Sequence, residues 1–207
     1  MKKYFFILVS FTVTISVIHA QTAIDQYRNK KAQYTVYSIE KTSDGGSILA
    51  GESIIYDEHR SSDFWVVKQD ANKKTEWEKS LGGSDIDVAY SAKQTKDGGY
   101  IILGETSSND GDVVGYHGNT DLWVVKLDSK GNTIWTKCIG GSDKEEAYTV
   151  QLINKKGKYI EELEYLISGT TFSSDGDTDI GNLTYNRRNN YWEIELSSSG
   201  KFDLPQH

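Results

Sequence analysis

The apolar residues of this chain fall in short runs that repeat with a period of two, which is the spacing of β-strand faces. The run at 191–196 shows this pattern clearly, because apolar and polar side chains alternate along it: Trp192, Ile194 and Leu196 against Tyr191, Glu193 and Glu195. The face that carries the tryptophan is therefore predicted to be the buried one. No long segment shows sustained helical spacing with capping residues, so the pattern predicts an all-β protein.

These runs recur in the same order three times along the chain. The stretch 121–143 reads as strand, turn, strand, turn, with a weaker copy at 63–85 and a degraded copy at 190–202. The spacing is regular, since 58 residues separate Trp65 from Trp123. Such self-similarity is typical of repeat architectures. The predicted repeats span about 37–89, 90–147 and 148–207.

Each repeat contains runs of strand character, the first two joined by an Asp-Gly hairpin signal such as the one at 97–98. Four antiparallel strands in a unit of about 50 to 65 residues indicate a blade of a β-propeller. The third repeat ends early, with Pro205 where a fourth strand is expected. The fold prediction is therefore all-β and β-propeller-like, with about three four-stranded antiparallel blades, the last one incomplete.

Propellers usually have about four to eight blades, so three blades would leave apolar faces open. Three alternatives follow. The chain oligomerises through its open blade faces, or it is a truncated or minimal member of its class, or its three sheets close into a compact three-fold arrangement. The segment 24–36 lies where a strand would precede the first repeat, and we hypothesise that it completes the last blade.

Residues 1–20 have the layout of a signal peptide, with two lysines, an apolar stretch and a small residue, Ala20, at the cleavage position. The mature chain, 21–207, is then predicted to be a single domain in the periplasm, on the cell surface or outside the cell, with no membrane attachment. The formal net charge of −7 without basic clusters argues against binding to nucleic acid and to anionic membranes. A single cysteine, Cys138, excludes an intrachain disulfide.

The stretch 96–141 reads KDGGYIILGETSSNDGDVVGYHGNTDLWVVKLDSKGNTIWTKCIGG. It resembles the tandem repeats of secreted bacterial β-propeller repeat proteins. Their units share an Asp-Gly-Gly-Tyr turn, an apolar strand with a glycine, a Trp-Val-Val-Lys-Leu-Asp strand and a Trp strand that ends in Gly-Gly. The resemblance covers about 37–202 and implies an exported propeller-like protein, while saying little about activity. A weaker likeness of 128–135 to the docking repeats of quinoprotein dehydrogenases is explained by shared blade packing.

The connection between the second and third strands varies most, with 11, 16 and 20 residues in the three repeats. Loops that vary on a constant scaffold are where binding usually resides. Aspartates alternate with other residues and glycine in the later two loops, and flexible carboxylate-rich loops suit Ca²⁺. The candidate calcium ligands are Asp110, Asp112, Asp175, Asp177 and Asp179. The alternative is a solvated loop of Asx turns. No other cofactor is expected.

The same loops carry aromatic and basic side chains that are suited to stack on and hydrogen-bond a sugar or a peptide: Tyr116, His117, Tyr185, Arg187 and Arg188. No nucleophile elbow, His-Glu-x-x-His motif or phosphate-binding glycine loop is present. The sequence therefore predicts an exported binding or scaffold protein, not an enzyme, that contacts a glycan or a protein through loops 105–120 and 170–189. The alternatives are an exported propeller enzyme, hydrolase or quinoprotein-like, and a truncated paralogue without independent activity.

Overall fold

The computed structural model describes residues 33–55, 61–156, 161–179 and 190–202, and the predicted signal peptide lies outside these ranges. The described residues form three antiparallel sheets, each with its strands in chain order. The first sheet contains β1 (Gln33–Lys41), β2 (Ser47–Ile55), β3 (Ser61–Gln69) and β4 (Thr75–Leu81); the second contains β5 (Asp87–Gln94), β6 (Tyr100–Thr106), β7 (Asp121–Leu127) and β8 (Thr133–Ile139); the third contains β9 (Glu145–Lys156), β10 (Glu161–Thr171) and β11 (Tyr191–Ser197). A 3₁₀ helix, Gly176–Asp179, follows β10. None of the helical structure in these ranges has the length and apolarity that a membrane crossing requires.

This architecture confirms the predicted all-β, propeller-like fold with a shorter last unit. Within the described residues the third sheet has three strands, and a single bridge between Leu196 and Phe202 lies where a fourth strand would begin. The hypothesis that 24–36 completes this last sheet is wrong for its described part. Gln33 to Val36 belong to β1 and pair with β2 of the first sheet, while residues 24–32 lie outside the described ranges.

The first strand of each sheet carries a β-bulge at an equivalent tyrosine. The register shifts at Tyr37 in β1, at Tyr90 in β5 and at Tyr148 in β9. A glycine of the second strand lies opposite each bulge: Gly51, Gly104 and Gly169. A Cβ added to any of these glycines would collide with the backbone of the bulged strand. The glycine in each apolar second strand is therefore required by the close approach of the bulge.

The sheets stack face to face through two apolar layers. Between the first and second sheets, Phe64 and Val66 pack against Trp123 and Val125, and the Phe64 and Trp123 ring centroids lie 4.5 Å apart. Between the second and third sheets, the opposite face of β7 packs against three residues of β11: Trp192, Ile194 and Leu196. The tryptophan face of β7 is buried as predicted, and its other face is buried as well, because a sheet lies on each side.

Each four-stranded sheet extends a tryptophan from its last strand onto the next sheet. Trp77 of β4 lies edge-on to Tyr100, with ring centroids 5.5 Å apart, and its indole N–H donates to the Ser129 carbonyl at 3.2 Å. The Trp77 ring covers Gly131, where an added Cβ would come within 2.9 Å of the indole. In the same way, the indole N–H of Trp135 in β8 donates to the Ser198 carbonyl of the third sheet at 3.2 Å, and the Trp135 ring covers Gly200.

The first sheet has Lys73 where the second and third have Gly131 and Gly200. Lys73 adopts the same left-handed backbone conformation, with φ of 65°, against 80° and 77° at the two glycines. In the described part of the chain no sheet comes before the first one to place a tryptophan on this turn. Glycine is therefore required at the turns that a tryptophan covers, and a longer side chain fits the turn that is open.

The lysine of the Trp-Val-Val-Lys motif is buried and is neutralised by the aspartate of the Asp-Gly-Gly turn. Lys68 Nζ lies 2.7 Å from the Asp44 carboxylate, and Lys126 Nζ lies 2.9 Å from the Asp97 carboxylate. Each ammonium also donates to a backbone carbonyl of its own strand. A buried ammonium is tolerated when it is paired and hydrogen-bonded in this way. In the first and second sheets, the motif therefore links the third strand to the turn between the first and second strands.

Candidate functional site

The variable loop of the second sheet docks on the Gly-Gly turn that ends the first sheet. The Asp110 carboxylate accepts a hydrogen bond from the Ser84 backbone N–H at 2.7 Å. The Asp112 backbone N–H donates to the Gly82 carbonyl at 2.9 Å, and the Asp112 carboxylate accepts from the Gly82 N–H at 3.2 Å. Both calcium-ligand candidates of this loop therefore bind backbone groups of the neighbouring turn.

The variable loop of the third sheet repeats this arrangement on the second Gly-Gly turn. The Asp175 carboxylate accepts from the Ser142 N–H at 2.8 Å, and the Asp177 N–H donates to the Gly140 carbonyl at 2.8 Å. The backbone of Asp179 closes the 3₁₀ helix, and its side chain lies outside the described part. The two loops thus make equivalent hydrogen bonds that join successive sheets.

Two buried acids also accept hydrogen bonds from the Gly-Gly turns. Asp87 accepts from the Gly83 N–H and from the Ser108 hydroxyl, each at 2.8 Å. Glu145 accepts from the Gly141 N–H at 3.1 Å. Burial raises the pKa of Asp87, although these hydrogen bonds lower it. Asp87 and Glu145, the acids that follow the two Gly-Gly turns, therefore have a structural role in those turns.

In the described residues, no group of three or more His, Cys, Asp or Glu side chains is arranged to hold a metal ion. The carboxylate oxygens of Asp110 and Asp175 that point toward the turns already accept backbone hydrogen bonds. Calcium binding by these loops stays a prediction.

A buried acid, Asp121, begins β7 at the base of the variable loop of the second sheet. The carboxylate accepts from both the backbone N–H and the ring Nδ1 of His117, at 2.9 and 2.8 Å. Burial raises the pKa of Asp121 to about 6, although the hydrogen bonds from His117 lower it. The other ring nitrogen of His117, Nε2, lies 3.7 Å from the Asp177 carboxylate. His117 therefore bridges the variable loops of the second and third sheets.

Sequence reasoning singled out His117 and Asp177 but missed Asp121. A signal for it was present, because an aspartate stands directly before the apolar third strand in the first two repeats, at 63 and 121. A charged group at the start of a strand that is buried on both faces needs a partner. That partner comes from a loop that differs between the repeats, so only the structure could identify it.

The remaining candidates for ligand contact divide into described and undescribed residues. Tyr116 is half buried, packs against the apolar layer between the first and second sheets, and donates its phenol to the Asn119 carbonyl at 2.7 Å. Its ring therefore supports the loop. Tyr185, Arg187 and Arg188 lie outside the described residues.

Two apolar side chains of the variable loops are open to solvent. Val114 is 70% exposed in the loop of the second sheet, and Phe172 is 53% exposed at the start of the loop of the third sheet. The Phe172 N–H donates to the Lys144 carbonyl at 3.0 Å, which fixes the backbone beside the exposed ring. These two side chains are candidate contact positions for a partner.

A comparison with protein-family models and with curated protein sequences found no match for the chain. The resemblance to secreted bacterial β-propeller repeat proteins therefore stays a prediction from the motifs.

Proposed function

We propose that the chain is an exported binding or scaffold protein, not an enzyme, that contacts a protein or a glycan through loops 105–120 and 170–189. It would act after removal of the signal peptide, in the periplasm, on the cell surface or outside the cell. The contact between His117 and Asp177 supports this proposal most directly, since it joins the two variable loops at 3.7 Å. The two loops of variable length thus meet at the same end of adjacent sheets.

The chemistry of this surface favours binding over catalysis. The hydrogen-bonded pair of His117 and Asp121 has its carboxylate buried at the base of the loop. Cys138 is buried. Burial is the main cause that raises the pKa of its thiol to about 12, and the negative charges of Asp121 and Asp87 contribute to the same rise. A thiol with so high a pKa is a poor nucleophile at neutral pH. The exposed loop groups include the apolar side chains of Val114 and Phe172.

Oligomerisation through open blade faces stays a separate proposal, and the two ends of the stack differ. The outer face of the third sheet carries the half-exposed residues Tyr191, Glu193 and Glu195. Charged side chains on an open sheet face disfavour stacking on an apolar surface. An interface with a second copy is therefore better placed elsewhere on the molecule than on the β11 side.

The test compares three aspartate substitutions in the purified full-length protein, all at exposed apolar positions. Val114→Asp and Phe172→Asp alter the variable loops, whereas Ile134→Asp alters the opposite end of the second sheet, where Ile134 is 55% exposed. Each protein is applied to a glycan array and to cross-linking with envelope proteins of the producing cell. Calcium chloride and EDTA are included as parallel conditions to test the carboxylates of the loops.

We expect the two loop variants to lose about tenfold in affinity for whichever ligand is found, because central apolar contacts contribute about 1–2 kcal/mol each. The Ile134→Asp variant should bind as the original protein does. Equal loss in all three variants, or hydrolysis of chromogenic glycoside, ester or peptide substrates, would contradict the proposal and favour the enzyme alternative.

A further inference from the structure

The three bulged tyrosines form a second surface that the sequence motifs did not single out. We propose that Tyr37, Tyr90 and Tyr148, with the glutamates beside them, bind arginine or lysine side chains of a protein partner. This inference rests on the proposed binding function and names the chemical class of its ligand.

The bulges present these rings to solvent in a regular way. A bulge places an extra residue against one partner residue and re-aims its side chain away from the ladder. Tyr37 is 48% exposed and Tyr148 is 50% exposed, while Tyr90 lies half buried between the sheets. The Tyr37 and Tyr90 ring centroids lie 5.3 Å apart, with their planes tilted by 59°. The repeated bulge therefore builds an aromatic row across the first strands of the stack.

Carboxylates lie along this row. Glu52 accepts a hydrogen bond from the Tyr37 phenol at 2.9 Å, and Glu146 lies near Tyr148. Burial raises the pKa of Tyr90 to about 12, and the charges of Glu105, Glu52 and Glu146 all act in the same direction. The negative charges of these three glutamates therefore act on the central ring.

The cation that belongs to this surface offsets part of that charge. Lys144 Nζ lies 2.8 Å from Glu146 and leaves an excess of negative charge on the row. Glu105 is engaged with the next sheet, where it accepts from the Ala147 N–H at 2.9 Å. The Glu52 carboxylate faces the phenol of the exposed Tyr37. A ligand with positive charge complements this arrangement, and an anionic ligand is disfavoured.

The ring geometry also favours a cation over a sugar. A sugar stacks on one open flat ring face, whereas Tyr37 and Tyr90 stand tilted against each other. A guanidinium or ammonium group interacts with the electron-rich faces of tyrosines and with a carboxylate at once. Arginine adds a planar fork that pairs with a carboxylate in two hydrogen bonds.

Two backbone N–H groups of this surface are already hydrogen-bonded, which favours recognition through side chains. The Ala92 N–H of β5 donates to Ser38 Oγ at 3.3 Å, and the Val150 N–H of β9 donates to Ser91 Oγ at 3.4 Å. These contacts link the edge strands of successive sheets and leave fewer groups for strand addition. Tyr148 approaches the Thr170 hydroxyl at 3.4 Å, two residues before Phe172, so the row continues into the variable-loop surface.

The experiment measures fluorescence anisotropy of the purified full-length protein with a fluorescein-labelled peptide of alternating arginine and serine. A peptide with citrulline in place of arginine keeps the shape and removes the charge. We expect the arginine peptide to bind about tenfold tighter than the citrulline peptide. Binding should weaken in about 0.5 M sodium chloride, roughly five times the ionic strength of an ordinary buffer.

Substitutions then separate the ring from the hydroxyl and the local charge from the net charge. The double variant Tyr37→Leu with Tyr148→Leu should lose about tenfold in affinity, whereas the matched Phe variant should stay within about threefold. Glu52→Gln should weaken binding, and Glu195→Gln, which removes one charge from the outer face of β11, should not. Circular dichroism checks that each variant is folded.

Equal affinity for the two peptides, or an unchanged affinity in the Leu variant, would overturn the inference. So would a neutral glycan that binds the original protein and is lost in the Leu variant, because the row would then recognise sugar. A ligand that depends on Val114 and Phe172 but not on the tyrosines would leave the proposed binding function standing and overturn this inference alone.

Discussion

The contact between Trp77 and Gly131 provides a sharp test of how the sheets are joined. Alanine at Gly131 changes two things at once. It places a side chain on a backbone with φ of 80°, which costs about 1–2 kcal/mol for a residue other than glycine. It also brings a Cβ within 2.9 Å of the Trp77 ring, an overpacking that costs about 1–3 kcal/mol more. We therefore expect Gly131→Ala to lower the free energy of unfolding by about 2–5 kcal/mol.

The chain contains a matched control for the backbone contribution. Gly98 has the same φ of 80°, and an added Cβ there would meet no atom within 4 Å. Gly98→Ala should therefore cost about 1–2 kcal/mol, and the difference between the two variants isolates the contact with the tryptophan. Against a total stability of about 5–15 kcal/mol, this difference is large enough to measure.

Urea denaturation followed by far-ultraviolet circular dichroism measures these free energies without relying on tryptophan fluorescence. The same glycine substitution is then repeated in a Trp77→Ala background. There the steric contribution should disappear, so Gly131→Ala should cost no more than Gly98→Ala. Equal costs for the two glycine variants in the original protein would refute the reasoning, as would an excess cost that persists without Trp77.

Two further expectations concern titratable groups. Because the pKa of Asp121 is raised to about 6 in the folded state, the folded protein binds the proton more tightly than the unfolded chain, so stability should fall as pH rises from about 4 to 6. In the Asp121→Asn variant, the midpoint of urea denaturation should depend less on pH over that range. A pH profile that matches that of the original protein would count against a raised pKa. Cys138, with a pKa of about 12, should react with a thiol reagent at pH 8, about four pH units below that pKa, only after unfolding, whereas prompt labelling of the native protein would contradict its burial.

The strand order and the unequal third unit could be predicted from sequence because they depend on local spacing. Period-two alternation at 191–196 identified a strand and its buried face, and Pro205 indicated a missing fourth strand. The same alternation did not reveal that β7 is buried on both faces. A residue such as Lys126 looks solvent-facing by its charge, and its burial depends on the pairing with Asp97 in the turn between β5 and β6.

The candidate site was predicted less well, because its chemistry depends on contacts between separate sheets. Asp110 and Asp175 were correctly placed in loops, yet their hydrogen bonds go to turns that lie more than twenty residues earlier in the chain. The bulges at the tyrosines were not foreseen, since a bulge is defined by register with a neighbouring strand.

The elements, their order and the turns between them follow from local sequence, because alternation, Asp-Gly signals and glycine content act over a few neighbouring residues. Which glycines are obligatory and which loops meet depends on contacts between the sheets. Gly131 and Lys73 occupy equivalent turns with similar backbone angles, and what distinguishes them is whether a tryptophan of another sheet covers the turn. That difference is a matter of excluded volume between segments far apart in the chain, and local sequence carries no direct measure of it.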